Sequence, residues 1–454
     1  MARIHRRDFL KLGSAGLALG VLGPLLRPAA LSQLLHASNA IPGRRLLVIF
    51  LRGGNDGVNT LIPHGDSSYN PTERPTLYIP PAASLDLGNG FAALNPALGP
   101  LHQLYQLGDV ACIHRVGYPD QSRSHFSSQQ FWENGKPLDE DLVEGWLYRY
   151  VTDAYDLASQ PLVAASISDQ LMLVLKGELQ LAHFPTLASF DLTVPGSPDG
   201  QKILGELPNP SAAQAGSGLL GWYGQPASTH GYDGLIKSSG QSLGAALNSL
   251  AGSGVDPAAY VPANGAVYPS AANPLGFPDA SFPFFSRVRD AAMLFKLSDL
   301  RVAGIELEGW DTHVNQAGAQ GALLSYVAHA IRALSLDLQS IWNDVVVLTL
   351  SEFGRTSQEN GSAGTDHGEA SALFVAGGAV QGGVYNCDST TWSNGDLFST
   401  PNGRYVERRT DFRAVLGEVL VRHLGLPAPS LDFVFPGYAG HAGDPTFSFL
   451  NFLP

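Results

Sequence analysis

Only two cysteines, Cys112 and Cys387, occur in 454 residues. Neither sits in a C-x-x-C spacing, which excludes a disulfide scaffold, a zinc ribbon and a thioredoxin-type redox pair and leaves room for a single bridge. Charge is sparse at 15% of residues, and 27 Lys+Arg are outnumbered by 40 Asp+Glu. A net charge of −13 and a pI near 5.4 argue against a clustered basic face, and so against nucleic acid as a partner. Past residue 40 no apolar run reaches 18 residues, so the mature chain has no integral membrane span. Internal repeats and low-complexity tracts are lacking too. What remains is 44% hydrophobic with 51 Gly and 31 Pro, the composition of a large globular chain rather than a disordered, collagen-like or coiled-coil one.

Residues 1–40 stand apart. Arg6-Arg7-Asp8-Phe9-Leu10-Lys11 precedes an apolar run from Leu12 to Leu26, and small residues at Ser38-Asn39-Ala40 follow. A basic start, an apolar stretch too short and Gly-rich to span a bilayer, and an A-x-A-like end are the marks of a signal peptide. The segment resembles a twin-arginine (Tat) signal, which implies export of an already folded protein to the periplasm or cell envelope, and the route favours a metalloprotein. These 40 residues hold five Arg/Lys and one Asp, so the mature chain carries a charge of −17. An anionic ligand would then need bound metal or local arginines.

In the mature chain, Arg45 to Leu51 is a β-branched and aromatic run stopped by Arg52-Gly53-Gly54-Asn55-Asp56-Gly57, the pattern of a buried strand ending in a tight turn. Further strands are predicted at Asp109 to Val116, Leu162 to Ser168, Leu300 to Leu307, Val345 to Leu350 and Leu373 to Ala376. Helical spacing marks Asn95 to Leu107, Gly145 to Ala158, Phe285 to Phe295, Gly318 to Asn343 and Asp411 to Leu424. The alternation predicts one large α/β domain over 41–454. Residues 195–280, rich in Gly, Pro, Ser and Asn around Leu219-Leu220-Gly221-Trp222-Tyr223 and a short helix at Ser242 to Leu250, read as an excursion or cap.

Polar clusters follow the predicted strands directly, and in open α/β sheets the carboxyl edge is where ligands bind. Asp56, Asp311, His313, Glu352, Asp366 and His367 offer four carboxylates and two imidazoles, a mixed N/O set suited to zinc, manganese or a similar divalent ion. Singly, each has an ordinary alternative: Asp56 as a turn aspartate, Asp311 as a cap, His367 as a hydrogen-bonded loop residue. Ser122 or Ser124, followed by His125, is the candidate nucleophile at the start of a helix predicted over Ser122 to Trp132, whose first amides favour an oxyanion. Ser122 serves equally well as the N-cap of that helix. Arg52, Arg123 and Arg355 are candidates for holding a tetrahedral oxyanion through forked hydrogen bonds.

The segments Leu51 to Thr60, Ser122 to Phe126, Gly309-Trp310-Asp311-Thr312-His313, Ser351 to Thr356 and Gly364-Thr365-Asp366-His367-Gly368 resemble the bacterial domain-of-unknown-function 1501 proteins, typically Tat-exported. That family is grouped with the alkaline phosphatase-like superfamily, which includes sulfatases. The resemblance implies an α/β/α sandwich with a largely parallel central sheet and a two-metal site at its carboxyl edge. It also implies Asp311, His313 and His367 on one metal, Asp56 with Glu352 on the other, and a metal-activated Ser122 or Ser124. A literal motif match would instead place Asp366-His367 with the second metal. The spacing Asp311-x-His313 is shorter than the superfamily's usual Asp-x-x-x-His.

The function expected is that of an exported, metal-dependent hydrolase-like protein acting on a small anionic phosphate or sulfate ester. The rival expectation is a non-catalytic periplasmic binding or scaffold protein with a degraded metal site. Family resemblance also suggests an exported protein of the domain-of-unknown-function 1800 family as a partner.

Overall fold

The computed structural model describes residues 40–157, 159–187, 245–246, 249–250 and 253–454. The segment expected to be a signal peptide, the Leu219 to Tyr223 run and most of the helix expected at Ser242 to Leu250 lie outside the described residues.

Twelve strands are described: β1 (Arg45–Leu51), β2 (Leu61–Pro63), β3 (Leu85–Asp86), β4 (Ala92–Leu94), β5 (Val110–Gly117), β6 (Ala164–Ile167), β7 (Ala182–Phe184), β8 (Val302–Leu307), β9 (Val345–Leu350), β10 (Ser371–Ala376), β11 (Gly383–Tyr385) and β12 (Thr410–Asp411). The main sheet runs β11-β5-β10-β9-β1-β8-β6-β7, with β12 beside β5, while β2-β4-β3 form a small sheet of their own. β1 pairs in parallel with both β8 and β9, and β6 in parallel with β7 and β8. β10 is the exception, antiparallel to β5 on one side and β9 on the other.

The continuous apolar runs follow from burial on both faces. Along β1, Leu47, Ile49 and Leu51 belong to one core, and Leu46, Val48 and Phe50 to the other. The period-two alternation thus splits between two interiors rather than between core and water. Helices α1 (Gly57–Thr60), α2 (Gly99–Gln106), α3 (His125–Asn134), α4 (Trp146–Ala154), α5 (Phe282–Leu297), α6 (Gln316–Asp337) and α7 (Phe412–Glu418) surround the sheet. Helices α2, α5 and α6 supply Leu101, Val288 and Leu324 to the first core, and α3, α4 and α7 supply Trp132, Val151 and Leu416 to the second. The result is mixed α/β in three layers around a mostly parallel sheet.

Two helical expectations shift. The helix after β5 begins at His125 with Ser124 at the cap position, where its side chain makes no cap bond; Ser122 lies outside the helix. The long predicted helix ending at Asn343 breaks at Asp337 and continues as a 3-10 stretch over Gln339–Asp344. Within the predicted excursion, the described residues 253–280 are tied to α6, because buried Asp337 accepts from Tyr260 and Tyr268 hydroxyls and the Ala263 amide. Among the described residues no helix is long and apolar enough to cross a membrane. Cys112 and Cys387 are both buried and unbridged, and burial pushes both thiols up.

Candidate metal centre

Strands β1, β5, β8 and β9 all end at one edge of the sheet, because β10 reverses between β5 and β9. The loops after β5, β8 and β9 therefore bring His125, Asp311 and Glu352 to that edge. His367 and Asp366 arrive there from the opposite sense, just ahead of the start of β10 at Ser371. The site is thus fed by strands leaving the edge and by one strand entering it.

Asp311 is the hub. Its Oδ1 lies 3.0 Å from His313 Nε2, 3.1 Å from His367 Nε2 and 2.7 Å from Arg355. Its Oδ2 lies 3.4 Å from His125 Nε2. The His313 and His367 Nε2 atoms are themselves 3.0 Å apart. Asp311 and Asp366 side chains are 47% and 48% exposed, so the cluster opens to solvent on their side. Burial works to raise the Asp311 carboxyl, yet the Arg355 hydrogen bond and charge, with His367 and His313, hold it down at about 2. The His125 ring is raised, first by its hydrogen bond to Glu352, and the His367 ring is lowered by burial. An ionised carboxylate among imidazoles presents anionic charge and nitrogen donors to the same space.

The donor set fits a divalent ion. Asp311 Oδ1, His313 Nε2 and His367 Nε2 form a triangle with sides of 3.0, 3.0 and 3.1 Å. Ligands about 2.0–2.2 Å from a zinc-sized ion lie only a little farther apart than this. Two imidazole Nε2 atoms at 3.0 Å cannot both carry hydrogens directed at each other, so at least one presents a lone pair. His125, Asp311 and His367 can also each place one donor within 4.8 Å of the others.

Other expected site residues take different roles. Asp56 is fully buried, caps α1 through the Val58 and Asn59 amides, pairs with buried Arg74 at 2.6 Å and accepts from Gln316 at 2.6 Å. These bonds engage both of its oxygens, so Asp56 serves as cap and ion-pair partner instead of an open ligand. Glu352 is also buried, its Oε1 accepting from the Gly53 amide, His125 Nδ1 and Gln129 Nε2, each at 2.8 Å. Arg355, expected to face an oxyanion, is 1% exposed and donates to the carbonyls of Gly53, Gly54, Trp310 and Thr365 as well as to Asp311. It stitches the edge loops together and positions Asp311. Arg52 is likewise spent, on Glu133, Glu306 and Gln129.

Of the two serines, Ser122 is half-buried and its Oγ accepts from the Ser124 amide at 3.2 Å, whereas Ser124 is exposed. Arg123 between them is 45% exposed and paired with Glu369 at 3.2 Å. Its backbone carbonyl accepts from His367 Nδ1 at 2.8 Å. Gln129, that carbonyl and Asn360, which donates to the His313 carbonyl at 3.0 Å and to Asp366 Oδ1 at 3.1 Å, were missed by sequence reasoning. Gln129 had a signal, since it lies four residues after His125 and so on the same helix face.

Residues 283–400 match the family model described as "Protein of unknown function (DUF1501)". The matched span contains Asp311, His313, Glu352, Arg355, Asp366 and His367 but neither Asp56 nor His125. No curated protein matches the chain. Among solved structures, the PH0037 protein from Pyrococcus horikoshii aligns at 14% identity over 75% of this chain and 87% of that one, with a TM-score of 0.27; a likeness of that size carries no argument.

Proposed function

We propose that the chain is a metal-dependent hydrolase of phosphate or sulfate esters, exported by the Tat route to the periplasm, with the alkaline phosphatase-like architecture its motifs resemble. The observation that carries the reading is the triangle of Asp311 Oδ1, His313 Nε2 and His367 Nε2, with sides of 3.0–3.1 Å, at the solvent-open edge of the sheet. A divalent ion held there would act as a Lewis acid toward an anionic ester oxygen. Ser124 is the favoured nucleophile: it is exposed, its hydroxyl makes no cap bond, and it directly precedes His125. Arg123, half-exposed beside it and paired with Glu369 at 3.2 Å, is the arginine this reading assigns to the remaining anionic oxygens, a need set by the acidic mature chain.

A second reading is a non-catalytic metal-binding or scaffold protein of the cell envelope. The burial of Arg355 behind Asp311 favours it, because that guanidinium is withheld from any substrate.

The test is a screen of phosphomonoester, phosphodiester and sulfate-ester substrates with the zinc- or manganese-loaded mature protein. Turnover is expected that chelator abolishes, that Asp311→Ala removes, and that Ser124→Ala lowers by about 100-fold or more. Absence of turnover on every class with the ion demonstrably bound would leave the scaffold reading. Replacing Arg6 and Arg7 by Lys is expected to hold the chain in the cytoplasm; undiminished export would reject the Tat assignment.

A further inference from the structure

The three histidines at the sheet edge share one hydrogen-bonding pattern. His367 Nδ1 faces the Arg123 carbonyl at 2.8 Å, His313 Nδ1 faces Asp366 Oδ1 at 3.1 Å, and His125 Nδ1 faces Glu352 Oε1 at 2.8 Å. A carbonyl or carboxylate oxygen accepts, so each ring carries a hydrogen on Nδ1 and, when neutral, a lone pair on Nε2. All three Nε2 atoms then turn toward the same carboxylate, Asp311, at 3.0, 3.1 and 3.4 Å. The His125 Nε2 atom is buried and has no hydrogen-bond partner among the described residues. With all three rings neutral, three lone pairs and an anionic carboxylate face one another, a repulsion that a cation between them or a proton on Nε2 relieves.

We infer that the cluster is a single-ion centre with four protein ligands, the Nε2 atoms of His125, His313 and His367 and the carboxylate of Asp311. Glu352 then acts as the positioning residue of His125 rather than as a ligand of a second ion. The inference rests on the metal reading above and deepens it. Three imidazoles with one carboxylate suit an ion of the manganese-to-zinc series, with any further coordination positions left to solvent or substrate.

The residues a second ion would need are engaged. Asp56 is held by Arg74, Gln316 and two amides, so a cation there would have to displace a buried guanidinium. Glu352 Oε1 already accepts three hydrogen bonds. Charge agrees with a single ion: one divalent cation brings Asp311, Asp366, Glu352 and the Arg355 guanidinium to neutrality. A second would leave a net charge of two in a partly buried site, which costs heavily.

Glu352 is itself held in place. Gln129, one turn beyond His125 on α3, donates to the same Glu352 oxygen, and Arg52 fixes the other end of that amide at 3.1 Å. Arg52, Gln129, Glu352 and His125 thus form one line of hydrogen bonds ending at the ion. A carboxylate on the far nitrogen of a ligating imidazole fixes its tautomer and raises its basicity, and losing such a partner typically lowers metal affinity about 10–100-fold.

The experiment measures zinc content per chain and zinc affinity, with the visible spectrum of the cobalt-substituted protein as a coordination signature. Wild type is expected to bind one ion per chain. Glu352→Gln is expected to keep that stoichiometry, bind zinc about 10–100-fold more weakly and shift the cobalt bands. His125→Ala is expected to shift them further. Gln129→Met, which removes one bond to Glu352 and leaves its charge, covers the case of a Glu352 variant that does not fold, with an expected loss of about threefold. Two ions per wild-type chain, one of them lost in Glu352→Gln, would overturn the inference, as would wild-type affinity and spectrum in the folded variants. One tightly held ion without ester turnover would leave it standing and reject the hydrolase reading alone.

Discussion

His313 and His367 meet Nε2 to Nε2 at 3.0 Å, in a chain where 54 residues separate them. Without an ion the contact is a hydrogen bond only if one of the two rings carries a hydrogen on Nε2, and with one it is the edge of a coordination polyhedron.

Zinc at a thousandfold excess over Kd should therefore stabilise the fold by about 4 kcal/mol. In thermal melts that is a rise of a few degrees in Tm, reversed by chelator and lost in His313→Ala and His367→Ala. A melting curve indifferent to zinc would sink the metal reading.

The buried Arg74–Asp56 pair, 2.6 Å apart with neither side chain exposed, gives a second prediction. Removing only the cation, as in Arg74→Met, leaves an uncompensated buried carboxylate and should cost about 3–5 kcal/mol. Asp56→Asn in the same chain removes the stranded charge while keeping a good N-cap, and should restore part of the loss. Urea unfolding of both variants decides, and a double variant as unstable as the single one would show that charge is not the cause.

Gly53 and Gly88 form a matched pair for a third. Both have positive φ, +123° and +74°, but a Cβ on Gly53 would run into the Asp311 backbone whereas one on Gly88 meets nothing within 4 Å. Gly88→Ala should cost only the left-handed backbone penalty, about 1–2 kcal/mol. Gly53→Ala should cost more and also displace Asp311, lowering zinc affinity about tenfold or more. Equal effects of the two substitutions would contradict the close approach.

The fourth concerns acid. His423 is buried with Nε2 donating to the Arg45 carbonyl at 2.9 Å, and burial lowers its pKa from 6.5 to about 4. Below pH 6.5 the unfolded chain takes up a proton that the native chain refuses, so stability falls with acid until the pH nears 4. The slope from this one residue is up to about 1.4 kcal/mol per pH unit. His423→Gln should flatten the stability profile by that amount between pH 6.5 and 4 and leave it unchanged above 7. An unaltered slope in urea titrations at pH 7, 6 and 5 would count against a neutral buried ring.

Much of this was legible in the residues. The β1 and β9 runs, Arg45–Leu51 and Val345–Leu350, appear with their predicted bounds, because strands covered on both faces need unbroken apolar sequence and charged or Gly-rich stops. Asp311, His313 and His367 were legible from their places after strands only among six candidate ligands, and as a set of three only through the family resemblance. The sense of β10 was not, since a buried apolar run reads alike in either direction. Nor were the roles of Asp56, Glu352 and Arg355: a carboxylate or guanidinium in a loop looks the same whether it faces an ion, an amide or a buried partner. What separates them is set by residues far along the chain, such as Arg74 for Asp56 and Gly53 for Glu352.

The reversed strand has a consequence for synthesis. β10 lies between β5 and β9, yet it is encoded after both, at Ser371–Ala376. Until the ribosome has made that hexapeptide, the buried strands Val110–Gly117 and Val345–Leu350 lack the neighbour that will join them, and each leaves an open edge able to pair with other chains. Insertion of β10 closes both gaps and, in the same event, delivers Asp366 and His367 to the site. On the proposed metal reading, competence to bind the ion is therefore a late reporter of correct topology, acquired only when the last interior strand has docked.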